Sequence, residues 1–87
     1  MARTIKTTVY FDKRYKNLPQ KIKKKAKEKE KIFRSNPFDP RLRTNKLHGR
    51  DKDSWAFWID YAYRVKFIFL LEEEILFLDV GTHNMYS

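Results

Sequence analysis

From Thr4 to Phe11 the chain alternates. Ile5, Thr7, Val9 and Phe11 fall on one side, and Thr4, Lys6, Thr8 and Tyr10 on the other, which predicts a half-buried strand over 4–11. Asp12 is placed to cap a short helical turn through Tyr15. The period then changes. Leu18, Ile22, Ala26, Ile32 and Phe33 lie on an arc of about 120°, the core-facing stripe of a helix over 19–34. Pro19 suits its first turn, where a missing N–H costs nothing. Lys25 and Lys29 fall inside the arc, so their stems run along apolar surface and their ammonium groups reach the edge.

Ser35-Asn36-Pro37 and Asp39-Pro40 are turn formers that end the helix, and 37–53 reads as mostly loop. Gly49 there serves a tight turn or bulge. Dense alternation follows and predicts strands over 55–60, 63–71 and 75–80, joined at Tyr61-Ala62 and Glu72-Glu73-Glu74. The last two strands are apolar on nearly every residue, which predicts a sheet buried on both faces at its centre. The order is β-α-β-β-β. It predicts an α+β fold in which an N-terminal strand and one main helix, with a short preceding turn, accompany a mostly antiparallel four-stranded sheet. With 87 residues, one domain over 1–87 is expected.

Charge changes the picture. The net charge is +9, and residues 1–50 hold 17 Lys/Arg against four Asp/Glu, while 51–87 hold three against seven. A basic first half points to an anionic partner, nucleic acid before others. Between Lys21 and Arg34 stand eight Lys/Arg and two Glu, so Lys23, Lys24, Lys27 and Lys31 read either as a solvated face or as diffuse phosphate contacts. Lys46, His48 and Arg50 extend that basic character along the loop.

The absence of cysteine removes disulfides and thiolate metal sites, and two histidines give no ligand cluster at useful spacing. The two glycines are too far apart for a phosphate loop. Met1–Tyr10 lacks the apolar block of a signal peptide, and the longest apolar run, Phe67–Leu71, is too short to span a bilayer. The expectation is a cytoplasmic protein with no cofactor, no metal and no membrane contact.

Chemistry concentrates near the end of the chain. Arg64 lies in a strand, His83 just past the last one, and Tyr86 three residues later. A guanidinium grips two phosphate oxygens, and an imidazole carries protons near neutral pH. The plainer alternatives are a salt bridge from Arg64 to Asp60 or Asp79, a loop position for His83, and packing for Tyr86.

The set Asn36-Pro37-Phe38, Lys46-Leu47-His48-Gly49, Trp55 to Asp60, Tyr63-Arg64-Val65 and Val80 to Tyr86 resembles the RelE/ParE superfamily of bacterial toxins, in register over nearly the whole chain. The His-containing end looks closer to the ribonuclease branch, YafQ-like members in particular. The resemblance implies a toxin paired with an acidic antitoxin and a metal-independent endoribonuclease that cuts mRNA, often on the ribosome. It places His83, Arg64, Tyr86 and Asp60 in the catalytic set, Asp60 as a base or as the partner that orients Arg64. The other branch implies gyrase inhibition by binding. The chain also departs from the pattern. Ala56 and Trp58 stand where some such nucleases carry Lys or Arg, which leaves a weakened RNA-binding homologue as a further alternative. His48 lies within the Leu-x-Gly turn rather than before it.

Overall fold

The computed structural model describes residues 4–49, 53–71 and 73–82. The first strand, β1 (Thr4–Thr7), is shorter than the alternation predicts, because Thr8 starts a helix. Its hydroxyl accepts the Phe11 N–H at 2.9 Å, capping α1 (Val9–Lys16). The same hydroxyl donates to the Leu78 carbonyl at 3.0 Å, and the Thr8 N–H reaches the Phe77 carbonyl at 3.2 Å. One residue therefore ends the strand, caps the helix and ties both to the last strand. Asp12 sits inside the first turn of α1 and is not the cap. Phe11 and Tyr15, four apart, stack at 5.9 Å on the inner side of α1.

The main helix, α2 (Gln20–Ser35), begins at Pro19, whose carbonyl accepts from Ile22 and Lys23. Its buried residues are Ile22, Ala26 and Phe33, on the predicted stripe, with Leu18 and Ile32 packed partly against the core. Lys25 and Lys29 do reach the edge: Lys25 Nζ lies 3.5 Å from Asp60, and Lys29 Nζ donates to the Arg41 carbonyl at 3.2 Å.

The stretch expected to be mostly loop holds two short elements. Asp39 Oδ1 accepts the Arg41 N–H at 2.9 Å and caps a 3₁₀ turn, Pro40–Leu42, that buries Leu42 completely. A two-residue strand follows, β2 (Asn45–Lys46), then β3 (Trp55–Trp58), β4 (Tyr63–Leu71) and β5 (Glu74–Thr82).

Among the described residues the sheet has five strands in the order β1-β5-β4-β3-β2, not four. It is mixed, since β1 runs parallel to β5 while the remaining pairs are antiparallel. The extra strand has no apolar signature, because Asn45 and Lys46 are both exposed at the sheet's edge.

Both helices cover one face. There Phe33, fully buried, meets the rings of Phe57 and Phe67 at 4.9 Å and Phe77 at 5.5 Å. Val65, Ile75 and Val80 complete that face. Phe69, at the end of this face, is 36% exposed and packs with Phe38 and Trp55. The opposite face is not sealed as the apolar runs predicted: Arg64, Lys66, Ile68, Leu76 and Leu78 are only half-buried.

Candidate functional site

Cross-strand partners point to the same side of a sheet. Val65, paired with Phe57 and Val80, faces the helices, so its neighbour Arg64 faces away. Arg64 pairs with Trp58 on one side and Gly81 on the other. Its guanidinium lies 3.8 Å over the Trp58 ring, close enough for a cation–π contact. Its Nη1 donates to the carbonyls of Asp60 at 3.0 Å, Tyr61 at 2.6 Å and Tyr63 at 3.5 Å. The direction of the side chain is thus set by an aromatic face and by the β3–β4 turn.

Asp60 builds that turn. Its Oδ1 accepts the N–H groups of Ala62 at 2.9 Å and Tyr63 at 3.0 Å, an Asx-type closure, while Oδ2 lies 3.5 Å from Lys25 Nζ. Asp60 therefore meets Arg64 through its backbone carbonyl. Asp79, buried, accepts the Val80 N–H at 2.8 Å and pairs with Arg14 Nε at 3.5 Å. Both carboxylates named as alternative partners of Arg64 have other work.

Trp58, noted in the sequence only as a departure from a resemblance, is the centre of a cluster. Arg43 lies 4.8 Å from its ring and Tyr61 meets it edge-on at 6.1 Å. No periodicity marks Arg43. The signal was the β2–β3 register, which is invisible without β2.

The basic residues divide. Lys23, Lys24 and Lys27 lie on α2, on the helix side of the sheet, where with Tyr15 and Gln20 they line a cavity of roughly 230 Å³. Lys31 is exposed on the same helix. The sheet layer separates these four from Arg64. Burial, and then the charge of Glu30, push the Tyr15 phenol up from its ordinary value, so it stays neutral at physiological pH. Lys46 is exposed in β2, opposite Trp55, and His48 is exposed in the loop after it, next to Gly49 with its positive φ of 73°. Arg50, His83 and Tyr86 lie outside the described residues, which end at Thr82, the partner of Tyr63. Among the described residues no group of three His, Cys, Asp or Glu gathers to hold a metal, and no helix is long and apolar enough to cross a membrane.

No protein-family model matches the chain, and neither does any curated protein sequence. Solved structures do. YafQ from Escherichia coli strain BL21(DE3) superposes with a TM-score of 0.76 at 20% identity, over 95% of this chain and 96% of that one. The YoeB/ParE toxin from Agrobacterium tumefaciens gives 0.76 at 13% identity, over 92% and 98%. This is the fold of the RelE/ParE toxins. The E. coli DinJ–YafQ toxin–antitoxin complex is similar too, with a TM-score of 0.74 at 20% identity over 98% and 97% of the chains. The RelE/ParE fold accounts for two helices on a five-stranded mixed sheet.

Proposed function

We propose that this chain is the toxin of a type II toxin–antitoxin pair and a metal-independent endoribonuclease that cleaves mRNA at the ribosome. The observation that carries the reading is Arg64. It is a guanidinium fixed on the helix-free face, in register with Gly81, which precedes His83 by two residues in the sequence.

Cleavage of RNA without a metal needs a base for the 2′-OH proton, a cation for the charge that grows on phosphorus-bound oxygen, and an acid for the leaving 5′-oxygen. The 2′-oxygen attacks phosphorus, the P–O5′ bond breaks, and a 2′,3′-cyclic phosphate remains. Arg64 takes the charge. His83 takes the 2′-OH proton and returns it to the leaving 5′-oxygen, so one imidazole serves as base and then as acid. Tyr86 stacks on a base or assists the transfer. Asp60 acts through the turn whose carbonyls hold Arg64, so it is a positioning residue. Lys23, Lys24, Lys27 and Lys31, with Lys46, His48 and Arg50, contribute diffuse attraction for polyanions, whose signature is salt-dependent association. The natural partner is a short acidic antitoxin, as the DinJ–YafQ complex suggests by its likeness, and the site of action is the cytoplasm.

The second reading is gyrase inhibition by binding alone. It is favoured by one observation: β3 presents Ala56 and Trp58, no cation, beside Arg64. The test is purified protein with mRNA and ribosomes in the presence of chelator. Cut message supports the nuclease. Intact message with blocked gyrase supercoiling favours the second reading. A short acidic protein encoded beside this one, able to restore growth, supports the toxin assignment under either.

A further inference from the structure

We propose that Arg43 is a second phosphate-binding cation of the helix-free face, positioned by Trp58 beside Arg64 to hold the backbone of single-stranded RNA. The inference rests on the ribonuclease reading and adds a residue to it.

The register carries the first part of the case. β2 pairs with β3 so that Asn45 lies opposite Ala56. Two steps further along, Arg43 stands level with Trp58. Trp58 in turn pairs with Arg64, and Arg64 with Gly81. The row Arg43, Trp58, Arg64, Gly81 crosses the sheet on one face. The ring contacts agree, with guanidinium carbons 4.8 Å and 3.8 Å from the same indole.

Backbone strain carries the second part. Arg43 closes the 3₁₀ turn in the left-handed region, with φ 51° and ψ 39°. It is the one non-glycine residue with positive φ among the described residues. Glycine or asparagine is the ordinary choice there, since a Cβ crowds the following carbonyl. Strain of this kind persists where the surroundings impose it and clusters at functional sites.

Charge carries the third part. Arg14, Arg34 and Arg41 each pair with a carboxylate, on Asp79, Glu30 and Asp39. The Arg43 side chain is exposed, and its contact among the described residues is the Trp58 ring. Both guanidiniums lie against one indole, so two positive charges stand in a single row on the open face, and a phosphate backbone crossing that row meets both. Guanidinium planes match phosphate oxygens, while the neighbouring Tyr61, 78% exposed, offers a ring on which a base can stack.

The test uses a fluorescent single-stranded 2′-O-methyl RNA, which lacks the attacking hydroxyl and stays intact, with binding followed by anisotropy from 50 to 300 mM salt. Arg43→Gly removes the guanidinium and relieves the left-handed backbone together. The expected result is an unchanged or raised melting temperature, affinity lower by about 5–10-fold at 50 mM salt, and a slope of log affinity against log salt shallower by about 0.7. Arg43→Lys restores the slope but not the full affinity, because an ammonium is a point charge without a stacking plane. Arg43→Gly with the parent's affinity and slope overturns the proposal. So does a lowered melting temperature with an unchanged slope, which makes Arg43 structural. If the parent itself does not bind the probe, the proposal for Arg43 falls, while the ribonuclease reading stands or falls separately on the assay with mRNA and ribosomes.

Discussion

On the helix-covered face of the sheet, Phe33 is closed in by Phe57, Phe67 and Phe77, and every large side chain at its centre is apolar. Across the same strands, one residue out of phase, Trp58, Arg64 and Lys66 stand half-buried. Alternation makes this possible: a strand can give one side to stability and the other to charge, and neither set constrains the other directly. The difference teaches where changes should be felt. Substitutions on the first face should act on folding and leave RNA affinity per folded molecule intact. Substitutions on the second should do the reverse.

The largest expected effect is on the covered face. Phe33→Ala removes the ring that touches three others and should cost about 3–5 kcal/mol. A domain of this size has about 4–13 kcal/mol in total, so the variant should be partly unfolded near room temperature. Urea unfolding followed by circular dichroism reads this directly. A loss under 1 kcal/mol would mean the core is not centred on Phe33.

Arg64→Ala is the counterpart on the open face. Cleavage and RNA affinity should fall together, because the guanidinium holds phosphate in both ground and transition states, while the midpoint of unfolding moves little. A variant that unfolds but keeps its activity per folded molecule would merge the two faces and break the comparison.

Thr8→Ala tests the seam between α1 and β5. It loses the helix cap and the bond to Leu78, and should cost about 1–2 kcal/mol in the same unfolding measurement, with RNA affinity unaffected.

The smallest effect is tied to pH. Hydrogen bonds from Arg41 hold the Asp39 carboxyl down from 3.8 to about 2. A carboxyl depressed on folding stabilises the native state above its unfolded pKa and loses that contribution as pH falls through the folded one. The melting temperature of Asp39→Asn should therefore lie slightly below the parent's above about pH 4, and the gap should close on approach to about pH 2. A gap that persists unchanged at pH 2 would contradict the pairing.

The long elements were legible because their periods are. Ile22, Ala26 and Phe33 repeat as a helix must, and β4 and β5 alternate as strands must. What was missed has physical reasons. Val9 and Phe11 fit an alternation as well as a helical turn, and only the Thr8 cap decides between them. β2 is two exposed polar residues, so no burial pattern announces it. With β2 missing, the strand count came out at four and nothing placed Arg43 near Trp58. The β4 and β5 runs suggested burial on both sides, yet the described helices cover one. Of the site, the facing of Arg64 followed from alternation with Val65. Its contacts with the Trp58 indole and with the carbonyls of Asp60, Tyr61 and Tyr63 depend on the turn that Asp60 closes.

The central claim of the proposal is that the chain cleaves RNA, with Arg64 of the open face holding the phosphate and His83 carrying the proton. The most direct measurement is message decay and growth arrest on induction, for the parent and for His83→Gln, with RNA affinity measured in parallel. The account predicts that His83→Gln binds RNA as the parent does, cuts it about 10²–10⁴-fold more slowly and no longer arrests growth. Equal arrest by both forms, with message intact throughout, would contradict it.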